Sequence, residues 1–276
     1  MNKLFGALAL LFLTALLLLA NCVQIASVVL LPISRKAVRA INRFVAGTWW
    51  SLCVLTGKAL HGLELQVTGD NVPEKENAIL VCNHQQMADI YVIMFFARTK
   101  GRLGDLKWFV KDMIKYIPGI GWGMYFLDCV YVKRNWEQDK DKIDRLFSKY
   151  KSAKIPIWLI SFVEGTRLKP KKLERSQKYA RENGLPVFNH VMLPRTKGFI
   201  ASVNALRDHV DAVYDLTISY PDGQPSMWQI LCGDFKTLHL HVKRYPIAQL
   251  PAENETLSPW LVDRFAEKDR FLAANP

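Results

Sequence analysis

The stretch AILVCNHQQMADIYVIMF, residues 78–95, sets one apolar run, Ala78–Cys82, ahead of a second, with Asn83, His84 and Asp89 at the join. The first run reads as a strand and the second as the start of a helix. His84 then stands at the carboxyl end of a strand, the edge where open α/β sheets place their ligands. From one turn into the helix, Asp89 reaches back to one imidazole nitrogen, fixes the tautomer and leaves the other nitrogen as a general base. No serine nucleophile stands nearby, so the pair suits activation of a hydroxyl carried by a substrate better than formation of an acyl-enzyme. Taken alone, the spacing fits a satisfied structural histidine better than a catalytic one.

Working outward, the same alternation of short apolar strands and amphipathic helices fills the chain after Gly62. Trp108–Val110, Cys129–Val132, Ile157–Phe162 and Asp211–Ile218 read as further strands, and Asp139 to Tyr150 repeats Ile143, Leu146, Phe147 and Tyr150 on one helical face. This predicts an α/β domain with a central, mainly parallel sheet flanked by helices. Leu238, Leu240 and Val242 alternate with His239, His241 and Lys243, a late half-exposed strand. Its His-x-His pair lacks an arguable third ligand, so a solvated strand face is expected there and no metal site. The basic stretch KPKKLERSQKYAR, from Lys169 to Arg181, reads as a helix that is either solvated or in contact with phosphates.

The 276 residues allow one large domain or two small ones, and an excess of 37 Lys and Arg over 25 Asp and Glu gives a net charge of +12, which favours anionic partners. There is no nucleic-acid motif, so a phospholipid surface or a phosphorylated small molecule is the expected partner. Five cysteines, Cys22, Cys53, Cys82, Cys129 and Cys232, are scattered without metal-ligand spacing and read as buried thiols in a reducing compartment.

No charged residue occurs between positions 4 and 34, and LALLFLTALLLLA is apolar on every side. As one helix that stretch would extend roughly 45 Å against a hydrocarbon core of about 30 Å, so a tilted span and a bent, partly interfacial hairpin both fit. It is too long for a cleaved signal peptide. Arg35, Lys36, Arg39 and Arg43 follow at once and place the later chain on the cytosolic side. From Lys36 to Leu60 apolar residues recur at helical spacing, and Trp49-Trp50 suits a membrane surface. Residues 1–61 are thus expected to form a membrane anchor with an interfacial helix, and residues 62–276 a catalytic domain.

Three more segments bear on His84. In FVEGTR, Phe162 to Arg167, a strand ends in a carboxylate, a glycine, a hydroxyl and a guanidinium. Gly165 permits close backbone approach, Thr166 donates a hydrogen bond, and Arg167 offers a bidentate fork to phosphate. Glu164 carries the wrong sign to face a phosphate and is expected to orient an arginine or the loop. VYVKR ends a strand at Arg134, and VMLPRTKGF reads as a strand stopped by Pro194 ahead of Arg195 and Lys197.

In this order the segments resemble the glycerolipid acyltransferase family, which includes 1-acylglycerol-3-phosphate acyltransferases and related lysophospholipid acyltransferases. His84 and Asp89, with Asn83 before them, match its His-x4-Asp motif. Arg134 matches the arginine of its second block, with Tyr131 where phenylalanine is common. Residues 164–167 match the third block, and Leu193-Pro194 the fourth. The resemblance spans residues 62–220. It implies that His84, aligned by Asp89, deprotonates a lysophospholipid hydroxyl that attacks the thioester of acyl-CoA. It implies a phosphate site of Arg134, Glu164, Gly165, Thr166 and Arg167, with Asn83 and Pro194 in support. Acyl-CoA is a substrate, and no metal or bound cofactor is implied. The endoplasmic reticulum of a eukaryote or the inner membrane of a bacterium is the expected location. PRTKGF and VYDLTISYP look most like the branch that also holds lysophosphatidylinositol and lysocardiolipin acyltransferases. A lipid hydrolase is disfavoured because Gly-x-Ser-x-Gly is absent, and a non-enzymatic lipid binder has no use for a base.

Overall fold

A computed structural model describes residues 2–133 and 135–275. Two long helices come first, α1 (Asn2–Ser27) and α2 (Arg35–His61). The hydroxyl of Ser34 caps α2 by accepting from the Ala37 amide at 3.1 Å, and Gly62 closes the helix in the left-handed region at φ 64°. The chain then continues through β1 (Glu64–Gly69), β2 (Ala78–Cys82), α3 (Ala88–Thr99), β3 (Leu106–Lys111), α4 (Ile120–Phe126), β4 (Val130–Val132), α5 (Trp136–Ser152) and β5 (Trp158–Ser161). It ends with α6 (Pro170–Glu182), α7 (Thr196–Leu206), β6 (Ala212–Ser219), α8 (Met227–Cys232), β7 (Thr237–Pro246) and α9 (Asn254–Ala274).

The strands form one sheet in the order β1-β7-β6-β2-β5-β3-β4. All neighbours are parallel except β6 and β7. The expected α/β class with a mainly parallel sheet is therefore observed, with β1 and the antiparallel β7 added at one side. Every residue of β2 is buried, because the strand sits between β6 and β5 and both its faces are covered. Leu80, Trp158 and Tyr214 point into one core with α2 and α3, whereas Ile79, Leu159 and Val213 point into another with α5, α7 and α9. As the alternation predicts, Leu238, Leu240 and Val242 of β7 are buried while His239, His241 and Lys243 are half-buried.

Three expectations are corrected. Val191–Leu193 is not a strand: the Met192 amide donates to Glu164 and the Leu193 amide to Ser176 Oγ at 2.9 Å, so side chains replace a ladder partner. α2 does not merely rest on a surface, since Val38, Asn42, Ala46, Trp50 and Val54 form a buried stripe. Trp49 donates its indole N–H to Leu13 O at 2.9 Å, which pairs α2 with α1. Helical periodicity marks an apolar face without saying what covers it. Finally, Cys22 is exposed on α1, Cys53 is half-buried, and only Cys82, Cys129 and Cys232 are buried thiols.

Candidate active site

The site is built at the carboxyl ends of β2, β5 and β6. Asn83 continues β2 with its side chain: its Nδ2 donates to Ile218 O at 2.9 Å, and its Oδ1 accepts from Ile218 N at 2.8 Å. This amide imitates a strand residue toward β6 and so fixes the direction in which the chain leaves the sheet. The next residue, His84, turns its ring onto Phe162, with centroids 4.0 Å apart and planes at 19°. His84 Nδ1 lies 2.8 Å from Asp89 Oδ2. A carboxylate can only accept, so Nδ1 carries the hydrogen and the unprotonated lone pair falls on Nε2. Among the described residues Nε2 has no hydrogen-bond partner.

Asp89, in the first turn of α3, is wholly buried and accepts four hydrogen bonds from the described residues. Besides the imidazole, its Oδ2 takes the amides of Gln85 at 2.6 Å and Gln86 at 2.9 Å. Its Oδ1 takes the hydroxyl of Tyr220 at 2.7 Å. Tyr220, just past β6, joins the site although no motif around His84 announces it. The sequence signal for it was a tyrosine ending the apolar run that pairs with the strand before His84.

The FVEGTR turn lies against His84 at two points. Glu164 Oε1 accepts the His84 amide at 2.7 Å, and the Leu168 amide donates to His84 O at 2.7 Å. The other oxygen of Glu164 accepts the Met192 amide at 2.9 Å. Glu164 is therefore turned inward, tying three loops together, and does not face an acceptor phosphate; burial pushes its carboxyl up to about 8. Of the roles weighed for it, orientation of the loop is the one its geometry serves.

Between those anchor points Gly165 adopts φ 73°, a region costly for other residues. A Cβ there would stand 3.1–3.2 Å from the Arg195 side chain, so the guanidinium packs directly over the Gly165 backbone. Arg195 N in turn donates to Val163 O at 2.8 Å, and Pro194 before it is buried. Lys172, from α6, donates to Thr166 Oγ1. Arg167 and Arg195 are exposed, and neither has an ion-pair partner among the described residues. Three cations thus gather on a turn whose single carboxylate looks away. Arg195 belongs with this group through contact with Gly165, which nothing in the local spacing of PRTKGF announces. Arg134 lies outside the described residues.

No group of three or more His, Cys, Asp or Glu among the described residues is arranged to hold a metal ion. His241 instead contacts Thr68 Oγ1 at 3.0 Å and stacks on Phe271.

A sequence profile of the Acyltransferase family matches residues 64–220, more than half of the chain. The chain belongs to this acyltransferase family. A companion profile, the acyltransferase C-terminus, matches residues 229–274, which carry α8, β7 and α9. The chain is 35% identical over 251 residues to 1-acyl-sn-glycerol-3-phosphate acyltransferase 2 of Arabidopsis thaliana, covering 89% of this chain and 64% of that one. It is 32% identical to the human 1-acyl-sn-glycerol-3-phosphate acyltransferase gamma, covering 91% of this chain and 68% of that one. Lysocardiolipin acyltransferase 1 of Danio rerio is also 32% identical, covering 88% of this chain and 64% of the relative. The chain therefore spans about two thirds of the length of these relatives. Its fold is that of the Thermotoga maritima 1-acyl-sn-glycerophosphate acyltransferase PlsC, with a TM-score of 0.58 at 18% identity over 97% of both chains.

Proposed function

We propose that this acyltransferase moves an acyl chain from acyl-CoA to the free hydroxyl of 1-acylglycerol-3-phosphate, giving phosphatidate. The observation that carries the reading is the imidazole of His84, held through Nδ1 by a buried carboxylate, beside a turn that carries the exposed guanidinium of Arg167 and, packed on Gly165, that of Arg195. His84 Nε2 takes the proton of the acceptor hydroxyl as its oxygen attacks the thioester carbon. The C–S bond breaks, and the departing sulfur takes that proton to leave as CoA. Arg167, the Thr166–Lys172 pair and Arg195 hold the acceptor phosphate, which converts a bimolecular encounter into a positioned one.

Direct transfer is favoured over an acyl-enzyme. The cysteine nearest His84 in the chain, Cys82, is fully buried, and desolvation holds its thiol well above the ordinary value. Base and positioning suffice for this chemistry, so acyl-CoA enters and leaves as a substrate and no bound cofactor or metal is called for. In this reading residues 62–276 are the catalytic part and residues 1–61 attach it to the cytosolic face of a membrane. α2 serves both, since its Arg43 also pairs with buried Asp105. A second acceptor class is lysophosphatidylinositol or lysocardiolipin, of which the similarity to the Danio rerio protein favours lysocardiolipin.

Purified full-length protein incubated with oleoyl-CoA tests the proposal. CoA release that requires lysophosphatidate, with phosphatidate as product, is the expected result. Release without an acceptor marks a hydrolase, no release marks a binder, and preference for lysophosphatidylinositol selects the second class.

A further inference from the structure

YIPGIGWGMYFL, from Tyr116 to Leu127, contains no charged residue yet lies on the surface. It contains α4 and follows the short helical turn Asp112–Tyr116. Its largest side chains face outward: Tyr116 is 73% exposed, Ile117 53%, Ile120 51% and Tyr125 64%, with Trp122 at 38%. A patch of this kind on a water-facing surface marks a contact site.

The segment is firmly held from behind. A Cβ on Gly121 would lie 1.9 Å from Ile114 O, and the same glycine's carbonyl accepts the Tyr131 hydroxyl at 2.7 Å. Its outward display is therefore a property of a packed structure.

What covers it follows from α1. That helix presents a narrow inward stripe, Gly6, Ala9, Leu13, Asn21, Gln24 and Ser27, and is exposed and apolar elsewhere. The stripe is docked along its length. Gly6 packs on Leu231 and Cys232 of α8, Leu13 O accepts from Trp49 of α2, and Asn21 Oδ1 accepts the Gly119 amide at 2.9 Å. A helix bound along its side to the catalytic body cannot stand through a bilayer while that body stays in water. Side-on docking of this kind argues for α1 lying along one leaflet rather than across the bilayer. The contacts of Asn21 and Leu17 with Gly119 make the exposed face of residues 116–125 continuous with that of α1.

The segment also sits at the catalytic edge. It leaves the carboxyl end of β3, which runs parallel to β5, and β5 runs parallel to β2; their carboxyl ends lead into FVEGTR and His84. Lys111 and Lys133, at the ends of β3 and β4, are exposed beside it. Tyrosine and tryptophan next to lysine is the composition of a headgroup boundary.

We propose that residues 112–126 are a second membrane-contact element that dips into the same leaflet as α1 and holds the catalytic edge of the sheet on the lipid surface. A lysophospholipid then reaches His84 from the leaflet with its acyl chain still in hydrocarbon. The proposal rests on the membrane attachment assumed under the proposed function, and its test separates the two.

Full-length protein carrying Cys22→Ser and Tyr125→Cys is labelled with an environment-sensitive fluorophore and mixed with vesicles of equimolar phosphatidylcholine and phosphatidate. The expected result is a blue-shifted emission quenched by chain-brominated lipid, with no change for a probe at Asp208→Cys, which lies at the opposite edge and is 70% exposed. Protein that sediments with vesicles while the Tyr125 probe stays in water overturns the proposal and leaves the anchor standing. Protein that does not sediment at all overturns both. A shift that follows protein concentration without lipid means a second copy covers the patch, and the proposal fails. In a second assay, Ile117→Asp with Tyr125→Asp should lower activity on vesicle-borne acceptor about tenfold or more, from lost apolar burial. Activity on a short-chain, water-soluble lysophosphatidate should not change. Equal loss on both acceptors assigns the segment to the catalytic scaffold and overturns the proposal.

Discussion

Asp89 and Glu164 are both buried carboxylates at the carboxyl edge of one sheet, and they do different work. Asp89 accepts from an imidazole, two amides and a tyrosine hydroxyl. Glu164 accepts the backbone amides of His84 and Met192. One carboxylate orients an imidazole, while the other orients backbone. A carboxylate's role at an active site is thus set by its donors and by the direction it faces, neither of which its burial reveals.

The comparison breaks most readily at the base. His84→Ala should lower turnover by at least about a hundredfold, the usual contribution of a general base. Asp89→Asn should come close, because an amide can hold the wrong tautomer and cannot stabilise imidazolium. Steady-state kinetics with lysophosphatidate checks both, and near-normal turnover in either variant removes the dyad from the mechanism.

The next effect is expected at the cationic turn that Glu164 supports. Arg167→Lys keeps the charge and loses the planar fork, so acceptor efficiency should fall roughly ten- to over a hundredfold with little change for acyl-CoA. If the acyl-CoA constant rises instead, the turn belongs to the donor side.

A smaller change sharpens the contrast between the carboxylates. Tyr220→Phe deletes one of the four donors to Asp89 among the described residues and should reduce turnover by about tenfold, the low end of the roughly 1.5–3 kcal/mol that a hydrogen bond to a charged group is worth, because three donors remain. A loss of thermal stability with unchanged turnover would make Tyr220 a packing residue only.

The smallest effect on turnover is expected for Glu164→Gln, whose consequence is structural. One amide loses its acceptor, at about 1–3 kcal/mol of stability. The pH dependence has a defined sign. The native pKa of Glu164, about 8, lies above its ordinary 4.5, so the folded chain binds this proton more tightly than the unfolded chain. Stability from that proton is full below about 4.5 and is lost as pH rises through about 8. Melting curves across that range should show the gap between wild type and variant narrowing as pH increases. A constant gap would show that Glu164 does not titrate there.

By itself the sequence placed the candidate pair His84 and Asp89 together and marked the central strands. His84 and Asp89 are close in the chain, and one strand followed by one helical turn suffices to bring them together. β2, β5 and β6 were legible as apolar runs because strands covered on both faces tolerate few polar residues. Only the tertiary structure decided what depends on distant segments. The inward turn of Glu164 needs the amides of both His84 and Met192. The fourth donor to Asp89 comes from 131 residues away. Arg195 reaches the site by packing over a glycine thirty positions earlier. The covering of α2 by the core rather than by lipid was undetermined for the same reason: hydrophobic periodicity records that a face leaves water, and only the assembled chain shows where it goes.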